Sequence, residues 1–491
     1  MPTSATPRSA IEVCSFAGHT ALGGERYAIH DPGRPEVVVG YALAASAAEV
    51  DEVVSAAVRV APRWAAASLD ERIEVLRSAT QQLIEASQSN GWEELLTSEQ
   101  GKVRSESAGE ILRSTRLFEI FAEQADAALR VQVLEDERGR REVDYPPIGP
   151  VAAITPWNWP VLLSFNKILP ALLAGNPVIL KPAPNTPLTV TAMAAVLARA
   201  LPDGVLSVLV GGGGVGAALV SHADIRKVVF TGSIANGRRV YAAAADGIRS
   251  VTLELGGNDP AIVLEDADLD AAQISRIAAS TFITSGQVCW AIKRIYVHER
   301  RMDEFVEAFK AATASIRVGH GSDPEATLGP LNNAMQLAHV TRVTTEAVAG
   351  GARTIPLGSL LASAGPETGG YFLQPQLVSG VDEPSELVRA EQFGPVVPVL
   401  GFRESDEVVA CANDTSYGLC ASVWSADRDH GFAVARRLAA GQVFVNAHAG
   451  PAFDYAAGIG GIKHSGVGRA FGTAGLRSYT EPRVLSDRIL R

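Results

Sequence analysis

Cys289 lies in Gly286-Gln287-Val288-Cys289-Trp290, a segment that opens on a glycine and is not an aliphatic run. A free thiol ionises near pH 8.5, so nucleophilic chemistry needs neighbours that stabilise the thiolate or take its proton. Taken alone, the residue reads as a buried structural cysteine, the common case for this residue type. A second chemical signal comes from the turns that follow four short apolar strands expected at 151–154, 178–180, 205–210 and 228–230. After them stand Thr155-Pro156-Trp157-Asn158-Trp159-Pro160, Lys181-Pro182-Ala183-Pro184, the run Gly211 to Gly214, and Gly232-Ser233 with Gly237 beyond. Glycine-rich turns entering helices present bare N–H groups and a positive dipole end to phosphate. One such turn is a weak signal; several on one sheet edge point to a dinucleotide.

Those turns need a frame to hold them together. Strands alternating with helix-like runs, such as 188–201, predict a parallel sheet with ligands beyond its carboxyl ends. A further strand at 251–253 runs into Glu254-Leu255-Gly256-Gly257-Asn258, and a second α/β region begins near Pro260, with a strand at 294–297 just after Cys289. Upstream, Ser68-Leu69-Asp70-Glu71 has the form of a capping box opening a pair of helices that ends near Gly101, and 106–128 is helical again. The stretch 130–145 alternates around Arg138-Gly139-Arg140 and predicts a polar hairpin, either simply solvated or an oligomerisation arm.

At 491 residues the chain exceeds one hydrophobic core, which stops growing near about 250 to 300 residues. Apolar residues make up 47% and charged residues 20%, a globular composition. A net charge of -11 gives no basic face for nucleic acid. Cys14, Cys289, Cys411 and Cys420 are too sparse for a disulfide framework and match no zinc spacing, so no metal is expected. No apolar run reaches the roughly 20 residues of a membrane span, and the first residues lack a leader's apolar core. A cytoplasmic protein with no membrane partner is the expectation.

Together, Asn158, Lys181, Gly232-Ser233, Glu254, Cys289, Glu391-Gln392-Phe393-Gly394-Pro395 and the tail Gly460-Gly461-Ile462-Lys463-His464-Ser465-Gly466 resemble the aldehyde dehydrogenase superfamily, in the family's order. The resemblance runs from about Tyr27 to Val484. It implies an α/β fold with a Rossmann-type cofactor domain (1–128 and 148–256), an α/β catalytic domain (257–455) and a β oligomerisation arm (129–147 and 473–491), hence a homodimer or homotetramer. It implies NAD(P)-dependent oxidation of a small-molecule aldehyde to the acid. Cys289 is then the nucleophile, forming a thiohemiacetal and thioester, and Glu254 the base for the hydrolytic water. The Asn158 amide and the Cys289 N–H are the oxyanion donors, each contributing about 2.7 to 4 kcal/mol. Lys167 corresponds to a lysine in the family's proton relay. Cofactor contacts are implied at Ile154, Thr155, Pro156, Trp157, Lys181, Ala183, Pro184, Gly212, Gly216, Phe230, Gly232, Ser233, Leu255, Gly256, Glu391 and Phe393.

Two departures from the family pattern matter. NAD-preferring relatives often carry a glutamate where this chain has Pro184, so a repulsion against a 2′-phosphate is missing; NAD is favoured, because no arginine takes its place, and NADP stays open. The tail has Gly468-Arg469-Ala470 where relatives often show Gly-Arg-Glu, leaving the relay to Lys167 and water. The implied substrate pocket holds Trp159, Leu163, Ile283, Trp290 and Phe453, and its aromatics favour an apolar or aromatic aldehyde. A CoA-acylating relative or a non-catalytic protein on the same fold are the alternatives; Glu254 counts against the first, and the three chemical groups together against the second.

Overall fold

The structure is a computed structural model that describes residues 11–488. The first ten residues, with the expectation of no leader there, and the last three residues of the expected arm lie outside the described residues.

Among the described residues, two large sheets organise the chain. The first is built on parallel strands: Val151–Ile154 is flanked by Val178–Lys181 and Lys227–Thr231, with Leu206–Val208 and Ser250–Glu254 outside them. These strands are apolar on both faces because helices cover both sides, as parallel sheets require. Register then does the functional placement. Ile154 pairs with Lys181 and Phe230, and Thr231 with Glu254, so the residues that leave the sheet toward ligand stand in one row at its carboxyl edge. The strand expected at 205–210 closes early at Val208, because Val210 leaves the ladder: its N–H donates to Ser15 Oγ at 2.9 Å and its carbonyl accepts the Ala45 N–H.

The second sheet runs Arg353–Pro356, Gln376–Ser379, Val396–Phe402, Ile292–His298, Asp259–Val263, Cys420–Trp424, Gln442–Val445, parallel except at its first pair. Its own apolar clusters lie on either face. The tail returns to the first sheet, where Gly466–Val467 pairs antiparallel with Leu253 and Glu254.

The capping box at Ser68 forms as expected, with Ser68 Oγ accepting the Glu71 N–H and Glu71 accepting the Ser68 N–H. The long helix Arg104–Leu129 follows, and then the hairpin Gln132–Asp136 and Gly139–Asp144. Only Arg483–Ser486 joins that hairpin. The segment from 473, expected in the arm, begins inside the helix Gly472–Arg477, whose Leu476 is fully buried in the first domain's core. Apolar contact, not strand pairing, decides the fate of those residues.

Candidate active site

The loop leading to Cys289 is strained and held. Thr284 and Ser285 both adopt left-handed backbone (φ 49° and 56°), a conformation costing on the order of 1–3 kcal/mol at each non-glycine position. Buried hydrogen bonds offset this: Glu106 Oε1 accepts the Thr284 N–H at 2.7 Å, and Ser285 Oγ donates to Gly329 O at 2.7 Å. Gly286 (φ 72°) has to be glycine, since a Cβ there would lie 2.3 Å from Gly394 O. The chain then makes a tight turn, Ala291 N–H donating to Val288 O at 3.1 Å, with Cys289 and Trp290 at its centre. Cys289 is left partly exposed to a cleft.

Asn158 reaches this loop from the first domain. Its Nδ2 donates to Gln287 O at 2.8 Å, and its own carbonyl accepts from Lys102 Nζ at 2.8 Å. Lys102 pairs with Glu110 at 2.6 Å, both side chains fully buried, and Glu110 Oε1 also accepts the Val161 and Leu162 N–H groups at the start of the helix Pro160–Leu173. The turn bearing Asn158 is thereby pinned from beneath. The sequence reading missed Glu106, Glu110 and Lys102. A signal existed: Glu110, Ser114, Leu117 and Phe121 share one helix face, and a glutamate in phase with core residues needs a partner.

The electrostatics separate the roles of thiol and carboxylate. Burial pushes the Cys289 thiol up to about 12, with Glu391, Asp259 and Glu254 adding to the rise while Lys293 opposes it. A thiol held that far above its ordinary value is protonated at neutral pH, and a nucleophilic role calls for a base to take its proton. Burial raises the Glu254 carboxyl to about 8, against the pull of Lys167 and Arg469, and its Oε1 has no hydrogen-bond partner among the described residues. Lys167, buried, has its ammonium pulled down by the same desolvation while Glu254 and Cys289 favour its charge. Arg469 is a second cation facing Glu254 that the sequence reading passed over, beside the Ala470 that breaks the family pattern.

A cavity of about 250 Å³ runs from Asn158, Leu163 and Cys289 to Pro156, Trp157, Thr231, Gly232, Ser233, Leu255, Gly256, Glu391 and Phe393. Its walls suit a dinucleotide. The buried Glu391 carboxylate, lifted to about 7 by desolvation, accepts only the Gly257 N–H, at 3.1 Å, and a Cβ on Gly256 would meet its Oε2 at 2.2 Å. Phe393 stands edge-on to Trp157 at 5.5 Å. Gln336, also missed from the sequence, donates to the carbonyls of Gln392 and Phe393, and His339 contacts Glu391 O at 3.2 Å. Ser233 caps the helix Ile234–Ala245, accepting the Asn236 N–H at 3.3 Å and leaving its O–H to donate outward.

Ile154, Thr155 and Phe230 sit behind this wall in the sheet core. At the far side, Lys181 Nζ donates to Gly211 O at 2.6 Å; a Cβ on Gly216 would come within 3.3 Å of its stem, and around Gly212 to Gly214 a Cβ would find open space. Burial lowers the Lys181 ammonium to about 8. Ala183 and Pro184 form the turn beside it.

The five expected pocket residues come together. Trp159 packs with Val288, Leu163, Ile283 and Trp290, and Trp290 in turn meets Phe453 edge-on at 5.9 Å. Trp159 is fixed by its Nε1 donating to Thr284 Oγ1 at 3.1 Å.

Comparison with known proteins agrees with this geometry. The model of the "Aldehyde dehydrogenase family" matches residues 19–485. A glutarate-semialdehyde dehydrogenase of Pseudomonas aeruginosa is 37% identical over 95% of both chains. A geranial dehydrogenase of Castellaniella defragrans is 42% identical over 68% of each. The crystal structure of an NADP-dependent enzyme of E. coli superposes with a TM-score of 0.90 at 34% identity, over 97% of this chain and 98% of that one. The chain belongs to the aldehyde dehydrogenase family and is an NAD(P)-dependent enzyme that oxidises an aldehyde to the carboxylic acid.

Proposed function

We propose that Cys289, Glu254 and Asn158 carry the reaction, on the observation that the thiol and the anchored amide line the end of the cofactor cleft while Glu254, just before the cleft residues Leu255 and Gly256, acts electrostatically on the thiol and keeps an oxygen without a hydrogen-bond partner. The thiol sulfur bonds to the aldehyde carbon as its proton passes toward Glu254, and the carbonyl electron pair moves to oxygen. That oxygen is held by Asn158 Nδ2 and the Cys289 N–H. Bound NAD(P) supplies the hydride acceptor, with Trp157, Ser233, Glu391 and Phe393 as its holders along the cleft and Lys181 beyond. Glu254 releases the thiol's proton to solvent and then takes a proton from the water that attacks the resulting Cys289 thioester; the C–S bond breaks, the acid leaves and the thiolate takes that second proton back from Glu254. Lys167 and Arg469 stabilise the ionised carboxylate between these uses.

The substrate is an apolar or aromatic aldehyde, because Trp159, Leu163, Ile283, Trp290 and Phe453 offer no charge to a polar tail. Burying an unpaired carboxylate there is costly. A second reading, a carboxylate-bearing aldehyde of the kind named for the Pseudomonas relative, finds support in Arg113, whose guanidinium lies 4.8 Å from the Trp159 ring. Steady-state rates on a panel of terpenoid, aromatic and semialdehyde substrates decide between them: kcat/KM at least tenfold higher for the apolar members supports the first, the reverse order the second. The same panel run with NAD and NADP tests the cofactor turn. With Pro184 in place of a carboxylate, the two KM values should fall within about tenfold of each other, about 1.4 kcal/mol.

The domain division at about residues 257 and 455 follows the two sheets, and the three-stranded hairpin sheet is the oligomerisation arm. It carries Val133 at 53% and Val484 at 60% exposure, apolar side chains that a second copy would cover. Light scattering should give a dimer or tetramer, and a monomer at micromolar concentration would reject the arm. Four unpaired cysteines fit a reducing compartment, the cytoplasm, and no helix among the described residues is long and apolar enough to cross a membrane.

A further inference from the structure

Two buried side chains outside the catalytic set hold the carbonyls on either side of Cys289. Lys293 Nζ, from the second residue of the strand after the nucleophile, donates to Val288 O and lies 3.4 Å from Ala291 O. His448, 3% exposed, places Nε2 at 2.8 Å from Trp290 O. A carbonyl can only accept, so Nε2 carries the hydrogen; Nδ1 then accepts from Ser422 Oγ at 3.0 Å. Burial pushes the imidazole down to about 4, which keeps it neutral and in this tautomer. Asp259, also buried, faces both: its charge favours the Lys293 ammonium, its Oδ1 accepts the Cys420 N–H at 3.1 Å and its partnerless Oδ2 lies 3.8 Å from His448 Nε2. Glu391 is the other carboxylate facing Lys293.

The consequence follows from the planarity of the peptide unit. Val288 C=O and Cys289 N–H belong to one plane and point in opposite directions, so fixing the oxygen fixes the hydrogen. The Cys289 N–H donates to no group among the described residues and is free for an oxyanion. A cation on Val288 O also polarises the amide and strengthens the N–H as a donor. We propose that Lys293 and His448 are positioning residues that clamp the Val288–Ala291 turn at its two carbonyls, so that the Cys289 N–H is aimed and polarised toward the oxygen of the reacting aldehyde. This rests on the reading of Cys289 as nucleophile.

The test uses the full-length enzyme with the best aldehyde of the panel, and compares turnover with alkylation of Cys289 by iodoacetamide, a reaction that builds no oxyanion. Lys293→Met should lower kcat at least tenfold with KM within threefold, and slow alkylation less than threefold. Equal losses in turnover and alkylation, or no loss in either, overturn the clamp. Should Lys293→Met not fold, the other end of the turn decides: His448→Leu should lower kcat at least tenfold, and His448→Gln, whose amide can still donate to Trp290 O, should recover most of that loss; indistinguishable leucine and glutamine variants overturn it. Wild-type turnover and its dependence on Cys289 report the functional reading, whereas the variant-to-wild-type ratios report the clamp, so the two fail separately.

Discussion

Cys289→Ala is expected to lower aldehyde-dependent NAD(P)H formation by at least about 10³-fold, because every later step acts on a carbon bonded to that sulfur. Asn158, Glu254 and the dinucleotide cleft stay in place in this variant, so whatever rate survives measures what they achieve without covalent catalysis. The substitution removes one partly exposed sulfur from a loop whose shape is set by Glu106, Ser285, Lys293 and His448, none of which bonds to the thiol. Thermal unfolding should therefore stay within a few degrees of wild type. Initial rates read by NAD(P)H absorbance at saturating aldehyde decide the matter, and a variant within tenfold of wild type removes Cys289 from the mechanism.

Cys289 taken alone reads as structural, and it is the ordered set of distant motifs that makes it a nucleophile; only the glycine before it leaves a local mark. Gly286 is forced by a backbone approach to Gly394, and glycines of that kind stand out in a chain otherwise rich in alanine and valine. The parallel sheet was legible for the same reason: buried strands such as Val151–Ile154 and Val178–Lys181 read as short apolar runs, and their turns must bend sharply into helices. The supports of the site left almost no local trace. Lys102, Glu110 and Lys293 are charged residues that sequence reasoning sends to the surface. Lys102 and Glu110 are completed by groups from far along the chain, Asn158 O and the Val161 and Leu162 N–H groups, and Lys293 by the carbonyls of the tight turn that only the folded site creates. Arg469 is similar, its effect on Glu254 arising only when the tail strand pairs beside Ser250–Glu254. The helix Gly472–Arg477 left no trace for an opposite reason, since nothing in 473–482 distinguishes a short helix packed on a core from the approach to an exposed strand.

Glu254→Gln carries the second large effect. Glutamine keeps the shape of the side chain but cannot accept a proton, and kcat should fall by about 10² to 10⁴-fold. The pH profile makes the assignment specific. The base acts in its ionised form, and burial raises the Glu254 carboxyl to about 8. Below that value the ionised fraction shrinks tenfold per pH unit, so the wild-type kcat should climb with unit slope up to about pH 8 and level off above it; in the glutamine variant this limb should vanish. Rapid mixing separates the two uses of the carboxylate. If Glu254 serves only the water, the variant forms one NAD(P)H per Cys289 at the wild-type rate and then stalls as a thioester. If it also takes the thiol proton, as the thiol's value near 12 demands, the first turnover slows as well. We expect this second pattern, because burial raises the Cys289 thiol and Glu254 Oε1 is free of any hydrogen-bond partner among the described residues. A variant that keeps both the wild-type kcat and the limb near pH 8 would assign the base elsewhere, with Glu391, at about 7, the next carboxylate to replace.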